Sequence, residues 1–90
     1  MGIALITIKI MPNSVEADLT EIKTEAKKVL EENSARNIRF EEHPIAFGLK
    51  AVMTLFEINE EDELEPIENQ LAEIENVQSV SVTDMRRAFE

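Results

Sequence analysis

From Phe47 to Ile58 the chain carries its longest nearly unbroken apolar and β-forming run, interrupted only by Gly48, Lys50, Thr54 and Glu57. A strand covered on one face alternates apolar with polar residues. Here Phe47, Leu49, Ala51, Met53 and Leu55 fall on one side while Val52, Phe56 and Ile58 fall on the other, so both sides are apolar. Residues 44–58 therefore read as a central strand with neighbours on both edges and helices over at least one face, with Phe47 opening it as a core aromatic. Pro44 cannot donate to a ladder and suits the preceding turn. Gly48 suits a bulge or a close backbone approach.

The remaining segments arrange themselves around that strand. Residues 3–11 read as a first strand, since Ala4, Ile6, Ile8 and Ile10 alternate with Leu5, Thr7 and Lys9. A Met-Pro-Asn-Ser loop leads to a helix over about 16–32, with Asp18 and Glu21 as a capping pair and an apolar stripe of Val15, Leu19, Ile22, Ala26, Val29 and Leu30. Arg36 to Glu42 predicts a short, charged edge strand. Leu64, Ile67, Leu71 and Ile74 predict a second helix over roughly 63–75, starting close to Pro66 because proline is tolerated only in the first turn. Val77 to Asp84 predicts the last strand, followed by a short tail with Arg86, Arg87 and Phe89. The order β-α-β-β-α-β implies a ferredoxin-like α+β sandwich: one antiparallel sheet of order 4-1-3-2 with two helices on one face. The second sheet face is left open. Its mixed apolar content, with Leu5, Thr7 and Lys9 or their alternates upon it, suggests a contact surface.

Ninety residues are expected to make one domain, residues 1–90. The absence of cysteine removes disulfides and thiol chemistry and fits a reducing cytoplasm. No apolar run reaches membrane-spanning length, and residues 1–11 lack the basic head of a signal peptide. The net charge of −10 argues against gripping nucleic-acid backbones. It is unevenly spread: residues 57–75 hold nine acidic side chains, and no Lys or Arg occurs between Ala51 and Met85. The acidic run after Ile58 lacks the ligand spacing and turn glycine of a calcium loop, and reads as a solvated loop feeding a helix N-terminus. Catalytic chemistry finds little support. His43 is the only histidine and sits in a turn before proline; only Gly2 and Gly48 are available for a phosphate cradle; no Trp or Tyr is present to stack bases. An acylphosphatase-type hydrolase would need an arginine after the first strand, where residues 11–18 have none. The residues favour a binding module without cofactor, metal or covalent chemistry of its own. One alternative is a small-ligand regulatory module acting through its open sheet face.

Three motifs carry a resemblance over the whole chain: Ile8-Lys9-Ile10-Met11-Pro12, Pro44-Ile45-Ala46-Phe47-Gly48-Leu49 and Val82-Thr83-Asp84-Met85-Arg86-Arg87. With them the chain resembles the archaeal translation elongation factor 1-beta family, which has the ferredoxin-like fold. The resemblance implies exchange of GDP for GTP on elongation factor 1-alpha, by a monomeric cytoplasmic factor that binds the GTPase and disturbs its nucleotide and Mg²⁺ site. It places Ile45, Phe47 and Gly48, and Arg86, Arg87 and Phe89, at that GTPase. Eukaryotic relatives carry a lysine next to the last residue, where this chain ends Ala88-Phe89-Glu90. Either the arginine pair substitutes for it or the metal is dislodged differently.

Overall fold

The computed structural model describes residues 2–88 as β1 (Ile3–Pro12), α1 (Leu19–Glu32), β2 (Arg36–Pro44), a 3-10 turn (Ala46–Gly48), β3 (Lys50–Asn59), α2 (Glu65–Ala72) and β4 (Val77–Ala88). The four strands form one antiparallel sheet in the order β2-β3-β1-β4. This is the expected 4-1-3-2 arrangement of a ferredoxin-like α+β fold, with β1 and β3 central.

The core lies on one side of the sheet. Alternate β1 residues Ala4, Ile6, Ile8 and Ile10 are buried and cluster with Val52, Phe56 and Ile58 of β3. The stripes Ile22, Ala26 and Leu30 of α1 and Ile67 and Leu71 of α2 close over them. Each buried Ile, Leu, Val or Phe among them contributes about 1.5–3 kcal/mol of transfer free energy. The opposite residues of β3, Met53, Leu55 and Glu57, are only half-buried, so the sheet is covered on one face.

Several boundaries differ from the periodicity. Helix α1 starts at Leu19, not near residue 16. Asp18 is extended, and its Oδ1 accepts the amides of Thr20 at 3.0 Å and Glu21 at 3.2 Å, which fixes the start there. Val15 therefore leaves the apolar stripe and is 62% exposed in the preceding loop. Helix α2 begins with Pro66 in its first turn and ends at Ala72 rather than residue 75. The central strand begins at Lys50, because Phe47 (φ 64°) and Gly48 (φ 78°) adopt left-handed backbone that no strand can continue. The last strand does not stop at Asp84. It runs to Ala88, level with Ile3, so Arg86 and Arg87 belong to a sheet strand rather than a tail.

One irregularity in β4 decides where its side chains point. Thr7 pairs with Asp84 but Ile8 pairs with Val82, which leaves Thr83 as an extra residue. The Thr83 hydroxyl donates to the Thr7 carbonyl at 3.4 Å. Val80 and Val82 face the core before the bulge; Asp84 and Arg86 face the open side after it.

Two consequences are measurable. Thr54 is fully buried, and its hydroxyl has no hydrogen-bond partner among the described residues. Thr54→Val should raise the unfolding free energy by about 1 kcal/mol, read by denaturant titration, because an unpaired buried hydroxyl is costly. Lys23 Nζ lies 2.6 Å from Glu42 Oε2 and ties α1 to β2. The hydrogen bond from Lys23, reinforced by its charge, holds the Glu42 carboxyl below its ordinary 4.5. A depressed carboxyl stabilises the fold above its unfolded pKa and loses that contribution as pH falls through the folded value. Lys23→Ala should therefore lower the denaturation midpoint at neutral pH, and its difference from wild type should shrink as pH falls below 4.5.

Candidate functional site

Five of the six residues expected at a partner are described, and they divide between two ends of the sheet. Strand β1 runs from Ile3 to Pro12, and both neighbours run against it, so the turn before β3 lies at the Pro12 end and the end of β4 lies beside Ile3. Arg86 is level with Leu5 and Glu57, while Phe47 precedes Lys50. At about 3.3 Å per residue the two groups are roughly 25 Å apart along the strands. They form two separate groups on one sheet, not one cluster. Phe89 lies outside the described residues.

At the first end, the turn is closed by its own backbone. The Ile45 amide donates to the Leu49 carbonyl at 2.7 Å and the Leu49 amide to the Ala46 carbonyl at 3.3 Å. Ile45 is half-buried against this closure. Phe47 is thrust outward at 93% exposure, which overturns its reading as a core aromatic. Its left-handed backbone costs a non-glycine residue about 1–2 kcal/mol. A Cβ built on Gly48 would sit 3.6 Å from Val15 Cγ1, in ordinary contact, so glycine is needed there for its φ and not for space. The sequence spacing of Val15 matches the helical stripe and gives no sign of its place at this turn. Beside Gly48, Val15 adds a second exposed apolar side chain to this end.

At the second end, the arginines point in opposite directions. Arg86 is level with Leu5 on the open face, and its Nε lies 2.9 Å from Asp84 Oδ2. Arg87 is level with buried Ala4, and its Nε lies 2.9 Å from Glu60 Oε2. Glu60 is itself held: its amide donates to the Gly2 carbonyl at 3.0 Å, and its carboxylate lies where a Gly2 Cβ would come within 2.6 Å of Cδ. Both ion pairs are largely exposed and contribute little to stability. They set each guanidinium beside a carboxylate at the strand end. Sequence spacing gave no sign of Glu60, 27 positions from Arg87. His43 lies in β2 next to its last residue, with its Nε2 3.1 Å from Glu41 Oε1, a hydrogen-bonded surface residue.

The chain is similar to known proteins over nearly its whole length. The profile of the EF-1 guanine nucleotide exchange domain matches residues 5–88. A protein of Methanocaldococcus jannaschii named elongation factor 1-beta is 42% identical over 89 residues, 98% of this chain and 100% of the relative. Similar relatives of the same name occur in Methanosarcina barkeri, 42% identical over 97% of this chain and 99% of the relative, and in Methanothermobacter thermautotrophicus, 38% identical over 97% and 98%.

The strained turn makes opposite predictions for adjacent residues. Phe47→Asn should raise the unfolding free energy by about 0.5–1 kcal/mol, since asparagine tolerates the left-handed region and no core contact is lost. Gly48→Ala should lower it by about 1 kcal/mol through the backbone alone. Denaturant midpoints at unchanged slope check both.

Proposed function

The chain belongs to the EF-1 guanine nucleotide exchange domain family, and we propose that it promotes exchange of GDP for GTP on elongation factor 1-alpha in the cytoplasm. The observation that carries this reading is the family match across residues 5–88, which takes in both the turn before β3 and the end of β4. The geometry supports it with features that packing alone leaves unused: a fully presented Phe47 on a strained turn and two oriented arginines at the far end. No helix among the described residues is long and apolar enough to cross a membrane.

Exchange needs no covalent step. A factor that binds the nucleotide-free GTPase more tightly than the GDP-bound form lowers GDP affinity by the same ratio. On this reading Phe47, flanked by Ile45 and Gly48, is an aromatic anchor of the kind that dominates interface energetics. Arg86 and Arg87 supply positive charge at the nucleotide end, where phosphates and Mg²⁺ are held by the GTPase. Arginine's fixed fork suits carboxylate or phosphate oxygens there. The monomeric chain, of net charge −10, is steered toward basic surfaces of the partner, and the arginines act locally against that field.

The matching GTPase loaded with a fluorescent GDP analogue and chased with unlabelled nucleotide should release it at least about ten-fold faster with this protein present. Arg86→Ala with Arg87→Ala, and separately Phe47→Ala, should each reduce that acceleration by about ten-fold. Excess GDP should weaken binding of the factor by the factor's own effect on GDP affinity. No acceleration with an active, matched GTPase would overturn the reading.

A further inference from the structure

Arg86 and Arg87 are adjacent in sequence, yet their carboxylate partners differ in kind. Asp84 lies two residues before Arg86 on the same strand, so that pair ties β4 only to itself. Glu60 follows the last residue of β3 and is brought to Arg87 across β1, where Ile3 is level with Asn59 on one side and with Ala88 on the other. Of the four side chains in the two pairs, that of Glu60 is the least exposed, at 33% against 46% for Asp84, 71% for Arg87 and 74% for Arg86. Two contacts at the start of β1 confine it. The Glu60 amide donates to the Gly2 carbonyl at 3.0 Å, one bond beyond the β1–β3 ladder, which sets where its side chain begins. The carboxylate then fills the space that a side chain at position 2 would need. A Cβ there would lie 2.6 Å from Glu60 Cδ and 2.7 Å from Oε2, the same oxygen that stands beside Arg87. Gly48 serves its own backbone angle, whereas Gly2 makes room for this carboxylate.

We propose that Glu60, seated against Gly2, is a positioning residue for Arg87: it biases the guanidinium toward one place at the strand end, so that Arg87 meets the GTPase already partly ordered. The proposal rests on the exchange reading, in which Arg87 is a GTPase contact; Glu60 acts only through it. An arginine on an exposed strand end is free about all its side-chain torsions and loses that freedom when a partner orders it. A carboxylate on an unconfined stem would be ordered by the arginine as much as it ordered the arginine. Glu60 is confined on two sides before Arg87 arrives, by its own backbone bond and by the Gly2 backbone, so the ordering runs from Glu60 to Arg87. Its bias has the small scale of an ion pair in contact with water. The pair does not use up the arginine: Glu60 Oε2 stands 2.9 Å from Nε, and a guanidinium has more N–H donors than one carboxylate can occupy, leaving donors for an oxygen of the partner.

The test titrates the whole protein against its matching GTPase loaded with a fluorescent GDP analogue, reading the half-saturating concentration and the plateau release rate separately. Glu60→Ala, Arg87→Ala and the double variant are compared, each with its fold checked by circular dichroism. Glu60→Ala should lose about three-fold in the same quantity that Arg87→Ala loses, and nothing further once Arg87 is alanine. Gly2→Ala leaves both charges in place but displaces the carboxylate; it should lose about two-fold alone and nothing further in the Glu60→Ala background. Glu61→Ala removes the same charge from the next exposed residue and should change neither quantity by more than about 1.5-fold. In NMR spectra of the free protein, the Arg87 Nε–H resonance should move in Glu60→Ala and Gly2→Ala and hold its place in Glu61→Ala. Losses that add in the double variant, an Arg87→Ala equal to wild type, or a Glu60→Ala equal to Glu61→Ala would overturn the positioning role while wild-type acceleration keeps the exchange reading. An Arg87 resonance unmoved by Glu60→Ala would overturn it whatever the kinetics. A wild type that accelerates nothing overturns the exchange reading, and this proposal with it.

Discussion

Strand β1 is hydrogen-bonded along both edges while burying one row of side chains, and the remainder of the molecule depends on that double commitment. Its ladders to β3 and β4 fix the two longest pairings in the sheet. Its row of Ala4, Ile6, Ile8 and Ile10 is the floor on which both helical stripes rest. A one-residue slip would carry the isoleucines to the open side and bring Leu5, Thr7 and Lys9 under the helices, burying a lysine without a partner. Register is therefore held by the core, and everything mounted on the sheet inherits its precision. The Phe47 turn and the β4 end are two such mounts, and the same ladders keep them roughly 25 Å apart.

The bulge at Thr83 is where that rigid frame meets chemistry. Without an extra residue the two-residue period that buries Val80 and Val82 would carry Asp84 and Arg86 toward the core side. With it, the charges emerge on the open face and Arg87 turns toward Glu60. One unpaired residue thus converts a core-facing row into an ion-pair row, and exchanges the faces that the two adjacent arginines occupy. Bulges are placed in sheets to re-aim side chains in this way. Here the re-aimed Asp84 and Arg86 border an open-face hollow whose lining also includes Arg39 and Glu57.

The fold was legible because periodicity reports burial. The alternation of β1, the stripes of both helices and the position of Pro66 each matched the element found. The failures share a cause: each depends on a backbone angle or a pairing that hydrophobic spacing does not encode. Phe47 and Leu49 continue the odd-numbered apolar row of β3 on paper, yet Phe47 has a positive φ and stands outside the strand. Val15 matches a helical stripe but precedes the Asp18 cap. The terminal arginines looked like a tail because strand propensity falls after Asp84, whereas β1 offers a free edge as far as Ile3 that the chain follows. Of the expected site, the sequence offers candidate residues at the turn before β3 and near the end of the chain. Its division between two ends was not readable, since that needs the antiparallel order and the register together.

On the exchange reading, that division bears on how a small factor could act on a GTPase. A partner touched at one point can turn about it, and the contact then distinguishes poorly between the partner's conformations. A partner held at two points about 25 Å apart on a stiff sheet must present both surfaces at that spacing. Only conformations of the GTPase that do so gain both contacts, and the difference in contact between its states is the free energy available to shift them. The strain at Phe47 is consistent with this. A free protein that already holds its anchor extended, at about 1–2 kcal/mol of backbone cost, has less ordering left to lose when the partner arrives. On the exchange reading, the sheet is a ruler with a fixed aromatic at one end and fixed cations at the other, and nucleotide release is the consequence of the partner fitting its length.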